Sequence, residues 1–379
     1  MTLDEVYDTS DEAAALRLQC ATDAAERRTL HGHPAYVLKC LRDDLSEEEH
    51  TKGVVDLAIE AEFLAEISHS CILPLCAMAH GDMHGPRFFV ILPRLAVTLE
   101  RKFNYWRKIV GDNAGVYIPV WGYCCAKTAA LQALWKERHA VMRQVAAAVA
   151  YLHARGIMYR DLKPDNIGFD DHDAVKLFDF GLAKRWKMAE MAPDQHNYHL
   201  TGQTGSLRYM APEVAMEMPY NESCDVYSWG ILYWQVCALQ TPFANYSTRQ
   251  HAEKVVHGGQ RPNPDKSWPR PWRELQQECW QAFAGLRPTM QHVLEQITAF
   301  GQALGDGDDD DMAVDVEHGD AHGGLVLQES TDTSRIKAKK KKKTTVDEHL
   351  DVDTRLGYTN NHHKTNGHSS FVKEGFDLV

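Results

Sequence analysis

Near the middle of the chain, side chains of four chemical types recur at spacings that could move a group between oxygens. The run Tyr159-Arg160-Asp161-Leu162-Lys163-Pro164-Asp165-Asn166 is followed, thirteen residues after Asn166, by Asp179-Phe180-Gly181. A carboxylate such as Asp161 can accept the proton of an attacking hydroxyl. Asn166 and Asp179 present oxygen, the ligand atom that a hard cation such as Mg²⁺ takes. Lys163, two residues after Asp161, adds a point charge able to reach a phosphate oxygen. The set suits phosphoryl transfer to a hydroxyl, a reaction governed by positioning and by neutralising charge on the phosphates.

Further motifs follow in order. Thr204-Gly205-Ser206-Leu207-Arg208-Tyr209-Met210 runs into Ala211-Pro212-Glu213, and Asp225-Val226-Tyr227-Ser228-Trp229-Gly230 opens an apolar stretch. With these the chain resembles the eukaryotic protein kinases, specifically the tyrosine-kinase-like group of serine/threonine kinases, over roughly residues 33 to 300. The central octapeptide departs once, with Tyr159 where histidine is usual. The resemblance implies an α+β, two-lobed protein-kinase-like fold: a small β-rich lobe to about residue 92, a hinge at 93–95, and a larger helical lobe to about 302. It implies ATP and Mg²⁺ as cofactors, a protein substrate offering Ser/Thr hydroxyls, Asp161 as the catalytic base and Asn166 and Asp179 as metal ligands. Lys163 and the Thr204-Gly205-Ser206 context resemble serine/threonine rather than tyrosine kinases.

The elements that must carry this chemistry can be traced. Ala35 to Leu41 alternates like a strand and holds Lys39, the expected phosphate clamp; taken alone, it reads as a solvated strand lysine. A helix is expected over about Val54 to Ser68, with Glu60 as the partner of Lys39 and with Glu62 and Glu66 on the solvated face. Arg87 to Leu92 reads as a buried strand. By resemblance Leu92 is the gatekeeper, Leu95 offers its N–H to adenine, and Thr98 lies near the ribose; Pro93 is tolerable where only a carbonyl is used. On the adenine floor Gly168 stands where the family carries a bulky aliphatic residue, and Phe178 precedes Asp179. Interiors tolerate few voids, so Phe178 is expected to fill the volume Gly168 leaves.

Other positions are read as structural. Leu64, Leu75, Tyr159 and Phe180 should stack between the lobes, Asp225 should hold the catalytic loop backbone, and Glu213 with Arg287 should lock the activation segment. Arg160 beside the base implies control by phosphorylation in the 182–210 loop by an upstream activating kinase, with Thr201 as first candidate site and Ser206 as second.

A glycine-rich phosphate loop should precede Lys39 by some 17 to 22 residues, yet no glycine occurs before Gly32. Residues 1–32 read instead as a helical segment or insertion, with Ser10 as an N-cap and an alanine-rich stretch after it. Either the first strands and loop are encoded upstream, or the chain lacks that cover. Its absence keeps a second reading open, a pseudokinase or scaffold with weak or no phosphoryl transfer. An insertion is expected at about 107–130, carrying Tyr117, Trp121 and Tyr123.

The chain has 379 residues, 44% of them hydrophobic, and a net charge of −12, which speaks against a nucleic-acid surface. Nine cysteines, odd in number and without C-x-x-C spacing, fit a reducing compartment, and Cys124-Cys125 is read as structural. No apolar run is long enough for a membrane span, so a soluble, cytoplasmic protein is expected. Residues 303–379 combine an acidic cluster with the run Lys339 to Lys343 and read as a disordered tail; the lysines suit either nuclear import or simple solubility.

Overall fold

The computed structural model describes residues 29–305, apart from 31–32, 43, 86–87, 113–125 and 195, together with the short strand at 376–378. Strands β1 (Thr29–Leu30) and β2 (His33–Pro34) pair antiparallel and lead into β3 (Tyr36–Leu41), which carries Lys39. Within the segment 1–32, expected to be helical or an insertion, only Thr29–Leu30 is described, and it is a strand; Ser10 and the 17–22 window lie outside the described residues.

Helix α1 (Glu47–Glu66) begins at a capping box in which Ser46 accepts the N–H of Glu49 and the Glu49 carboxylate accepts the N–H of Ser46. Glu47, Glu48 and Glu49 also place negative charge at the positive end of the helix. The helix thus starts seven residues before the expected Val54, because Ser46 and Glu49 supply a start signal that apolar spacing does not register. Its buried face is Val54, Leu57, Ala61 and Leu64, with Glu60 among them.

Strands β4 (Ala77–Met78) and β5 (Phe89–Pro93) complete this half, β5 lying antiparallel to β3 with Lys39 opposite Val90 and Val37 opposite Leu92. After the hinge come β6 (Val97–Thr98), α2 (Leu99–Asp112) and α3 (Ala126–His153). The expected insertion at 107–130 is helical at both described ends, as 107–112 continue α2 and 126–130 begin α3. Tyr117, Trp121, Tyr123 and Cys124-Cys125 lie outside the described residues.

The site-bearing part follows: β7 (Ile157–Met158), β8 (Ile167–Phe169), β9 (Val175–Leu177) and β10 (Lys184–Arg185), with β6, β8 and β9 forming one small sheet and β7 pairing with β10. Helices α4 (Pro212–Ala215), α5 (Ser223–Ala238), α6 (Thr248–His251), α7 (Arg270–Cys279) and α8 (Met290–Gly305) make the helical lobe. Every residue of α5 from Cys224 to Cys237 is buried. That explains its near-continuous apolar sequence, since a helix covered on all sides has no polar face. Strand β11 (Phe376–Leu378) returns to the edge of β3. One continuous apolar core runs from α1 and the β3–β5 sheet through Phe103 and Trp106 to α3, α5 and α8.

Candidate active site

The central loop is held from below by one carboxylate. Asp225 lies in the first turn of α5, fully buried, where the helix N-terminus favours a negative charge. It accepts the backbone N–H of Tyr159 at 2.8 Å and of Arg160 at 2.7 Å, and His153 Nε2 lies 2.9 Å away. These bonds matter because Arg160 adopts a φ of 67°, as does Asp179. A non-glycine residue in that left-handed region costs on the order of 1–3 kcal/mol. Two hydrogen bonds to a buried carboxylate, each worth roughly 1.5–3 kcal/mol, offset that strain.

Tyr159 itself is buried, packs edge-on against Phe180 with ring centroids 5.2 Å apart, and donates its hydroxyl to the carbonyl of Phe178. Burial, and then the charges of Asp179, Asp161 and Glu60, hold its phenol well above the ordinary range, so it stays a neutral donor. Leu64 and Leu75 belong to the same core.

Lys39, Glu60 and Asp179 meet in the buried space between β3, α1 and the segment after β9. Lys39 Nζ donates to Glu60 Oε2 and lies 3.4 Å from Asp179 Oδ1. Burial works against the lysine charge, but Asp179 and Glu60 outweigh it and push its pKa upward, so the ammonium persists at any physiological pH.

A second cluster surrounds Asp161. Lys163 Nζ is 2.9 Å from Asp161 Oδ2, Asn166 Nδ2 donates to the same oxygen at 2.9 Å and to the Asp161 carbonyl at 3.0 Å, and Ser206 Oγ donates to Oδ1 at 2.9 Å. The preceding Gly205 has a φ of 95°, and a Cβ there would collide with the carbonyl of Arg160. Only glycine lets the segment approach the loop this closely. The place of Ser206 beside Asp161 was not legible in the sequence, which marked it only as a phosphorylation candidate; nothing in local spacing reports a contact across 45 positions.

Arg160 turns away from Asp161. Its Nε donates to the carbonyl of Leu182 at 2.7 Å, and Nη1 donates to Thr201 Oγ1 at 3.2 Å and to the Tyr220 hydroxyl at 2.9 Å, which in turn donates to the Thr201 carbonyl. Tyr220 carries no motif and was missed for that reason. Thr204 Oγ1 donates to the Thr201 carbonyl, which makes a local turn. Further on, Arg287 grips Glu213 with two hydrogen bonds of 2.6 and 2.8 Å, both groups being buried.

The hinge side is assembled by β6 and β8, whose register sets Thr98 opposite Gly168. Leu92 is buried in β5, and Leu95 follows it in the hinge. The expected size compensation by Phe178 gains a second member here, Leu95. A Cβ on Gly168 would collide first with Leu95 Cδ1 and would also meet Leu95 Cγ at 3.2 Å, with Phe178 Cε1 next at 3.3 Å. The hinge leucine lies nearest to the space that Gly168 leaves, and Phe178 borders the same space.

The arrangement can fix a hydroxyl-activating carboxylate, hold a lysine charge next to an aspartate, and offer oxygen atoms to a cation. Comparison with known proteins fits this chemistry. The family model for the protein kinase domain matches residues 28–297, more than half of the chain. The chain belongs to the protein kinase domain family. Its α+β architecture, a small antiparallel-sheet lobe and a helical lobe, is that of the family.

The kinase domain is similar to serine/threonine-protein kinase STY17 of Arabidopsis thaliana, 33% identical over 184 residues, which make up 48% of this chain and 30% of the relative. It is similar to dual specificity protein kinase shkB of Dictyostelium discoideum, 35% identical over 177 residues, 45% of this chain and 26% of the relative. Mitogen-activated protein kinase kinase kinase 7 of Homo sapiens is 34% identical over 160 residues, 41% of this chain and 25% of the relative. The matched stretch thus spans no more than a third of these relatives. The resemblance to the tyrosine-kinase-like group of serine/threonine kinases stands. No helix among the described residues is long and apolar enough to cross a membrane.

Proposed function

We propose that the kinase domain, taken as about residues 33–302, transfers the γ-phosphate of ATP to serine or threonine hydroxyls of proteins. The observation that carries this reading is the convergence of Lys39, Glu60 and Asp179 in one buried cluster, with Asp161, Lys163 and Asn166 in a second on the same loop system. The donor set fits the cofactors. Asp179 and Asn166 supply hard oxygen ligands of the kind Mg²⁺ takes, two protein ligands being usual where phosphates and water complete the shell. When bound, ATP with Mg²⁺ supplies the transferable phosphoryl group.

The residues of the chain would do the rest. Glu60 orients Lys39 toward the phosphates, and burial strengthens that charge. Asp161, its carboxylate oriented by Lys163, Asn166 and Ser206, takes the proton from the acceptor hydroxyl, and Lys163 then offers its charge to the transferring group. Leu95, Thr98 and Gly168 line the base and ribose side, below the Leu92 gatekeeper. Thr201, 3.2 Å from Arg160 Nη1, is the site at which an upstream activating kinase would act, since a phosphate there gains a charge-assisted bond to the guanidinium.

The test is transfer of radiolabelled phosphate from ATP to a peptide array. Asp161→Asn should lower transfer by about 10²–10⁴-fold while nucleotide affinity stays within a few-fold of the parent. Transfer at the parental rate in that variant would refute Asp161 as base, and no transfer by the parent despite Mg-ATP binding would favour a pseudokinase.

A further inference from the structure

Lys102 is a buried lysine that the proposed reaction does not use. It lies in the first turn of α2, four residues after Thr98, and only 6% of it is exposed. A lysine is rarely buried unless it is paired, and this one has three partners from three places in the fold. Its Nζ lies 2.8 Å from Glu137 Oε1 of α3, donates to Asp173 Oδ1 in the turn between β8 and β9, and stands 4.0 Å over the centre of the Phe169 ring at the end of β8. Both carboxylates keep contact with water, the Asp173 side chain being 63% exposed. The lysine is thus the enclosed centre of the cluster, and the acids form its rim.

We infer that Lys102 is a positioning residue for the adenine and ribose side of the nucleotide site, a role that rests on the place proposed for those groups beside Leu95, Thr98 and Gly168. Phe169 is the link between the two. Its carbonyl accepts the N–H of Ala96, just past Leu95, at 2.8 Å; it stands opposite Val97, as Gly168 stands opposite Thr98; and its ring takes the Lys102 charge. An ammonium over an aromatic face is attracted by the ring quadrupole, more strongly where water is excluded. Strands β6 and β8 are only two and three residues long, so their ladder has few bonds of its own to hold Gly168 opposite Thr98. Lys102 supplies the missing restraint from the α2 side. It joins the helix that Thr98 leads into to the last residue of β8 and, through Asp173, to the turn beyond it. The lysine acts through Phe169 on the spacing of Thr98 and Gly168, not by contact with the nucleotide.

The test separates this role from plain structural support. Lys102→Met keeps the apolar stem and removes the charge. Calorimetry on the full chain should then show Mg-ATP and adenosine both binding about tenfold more weakly and in equal proportion, because the loss falls on the base and ribose side that the two ligands share. The kcat at saturating ATP and the KM for a peptide substrate should stay within about twofold of the parent, since only ground-state binding of the nucleotide is lost. Asp173→Asn is a milder variant at an exposed position, and asparagine tolerates the φ of 61° found there. It should weaken both ligands about threefold with the urea midpoint unchanged. Parental affinities in both variants would overturn the role. So would a loss for Mg-ATP that spares adenosine, or a fall in kcat and a rise in peptide KM as large as the change in nucleotide affinity, the mark of a general structural defect. A parent chain that binds neither ligand would overturn the nucleotide site itself, a failure distinct from these.

Discussion

Ser206 Oγ donates to Asp161 Oδ1 at 2.9 Å, while Lys163 Nζ lies 2.9 Å from the other oxygen of the same carboxylate. The base proposed for the reaction therefore has its plane fixed from two sides, one contact coming from the activation segment. Removing the hydroxyl with Ser206→Ala frees that rotation, and kcat toward a peptide substrate should fall about tenfold, in line with the sensitivity of rates to small misplacements. Ser206→Asp should be worse by a further order of magnitude, because a second carboxylate meets the first. Steady-state kinetics on both variants checks the order; an aspartate variant as active as the parent would overturn the assignment.

Leu95 over Gly168 predicts a rescue. Gly168→Val forces the hinge leucine to move, and Mg-ATP affinity measured by calorimetry should drop about tenfold, the equivalent of roughly 1.4 kcal/mol. Adding Leu95→Ala should recover most of it, since the two side chains then share the space. A double variant no better than the single one would show that the contact does not shape the nucleotide site.

Arg160, Thr201 and Tyr220 form a connected set whose only charged member is the guanidinium. Phosphate on Thr201 would give Arg160 an ionic partner, so active enzyme should carry that modification by mass spectrometry. Thr201→Ala and Arg160→Ala should each abolish the gain produced by an upstream kinase. Fully active protein with residues 182–210 unmodified would contradict the mechanism.

His139 bears on acid stability. It is buried, stacked on Trp272 with centroids 4.5 Å apart, and burial followed by the Arg143 charge lowers its pKa to about 4. Its folded pKa lies below the unfolded value of about 6.5, so the unfolded chain binds the extra proton first. Stability should be complete above about pH 6.5 and fall as pH drops toward 4, by up to roughly 3 kcal/mol if this group acts alone. His139→Phe, which keeps the stack, should flatten that part of the denaturation profile measured by urea titration. An unchanged slope would mean other groups govern the acid transition.

What the sequence determined by itself was the order and chemistry of the motifs. Asp161, Lys163, Asn166 and Asp179 could be singled out because they belong to one local pattern, and Lys39, Glu60, Asp225, Glu213 and Arg287 followed by resemblance. The start of the helix at Ser46 and Glu49 was missed, because apolar periodicity alone placed it at about Val54. Tertiary structure decided the relations between patterns. No local rule reports that Ser206 reaches Asp161, that Tyr220 completes the surroundings of Arg160, or that Leu95 joins Phe178 over Gly168. Those contacts arise because buried groups must find partners and fill space wherever the fold brings them together, at separations the chain itself does not encode. The pairing of β11 with β3 is of the same kind: a ladder needs only an extended segment, so three residues far along the chain can serve, and no periodicity announces which three.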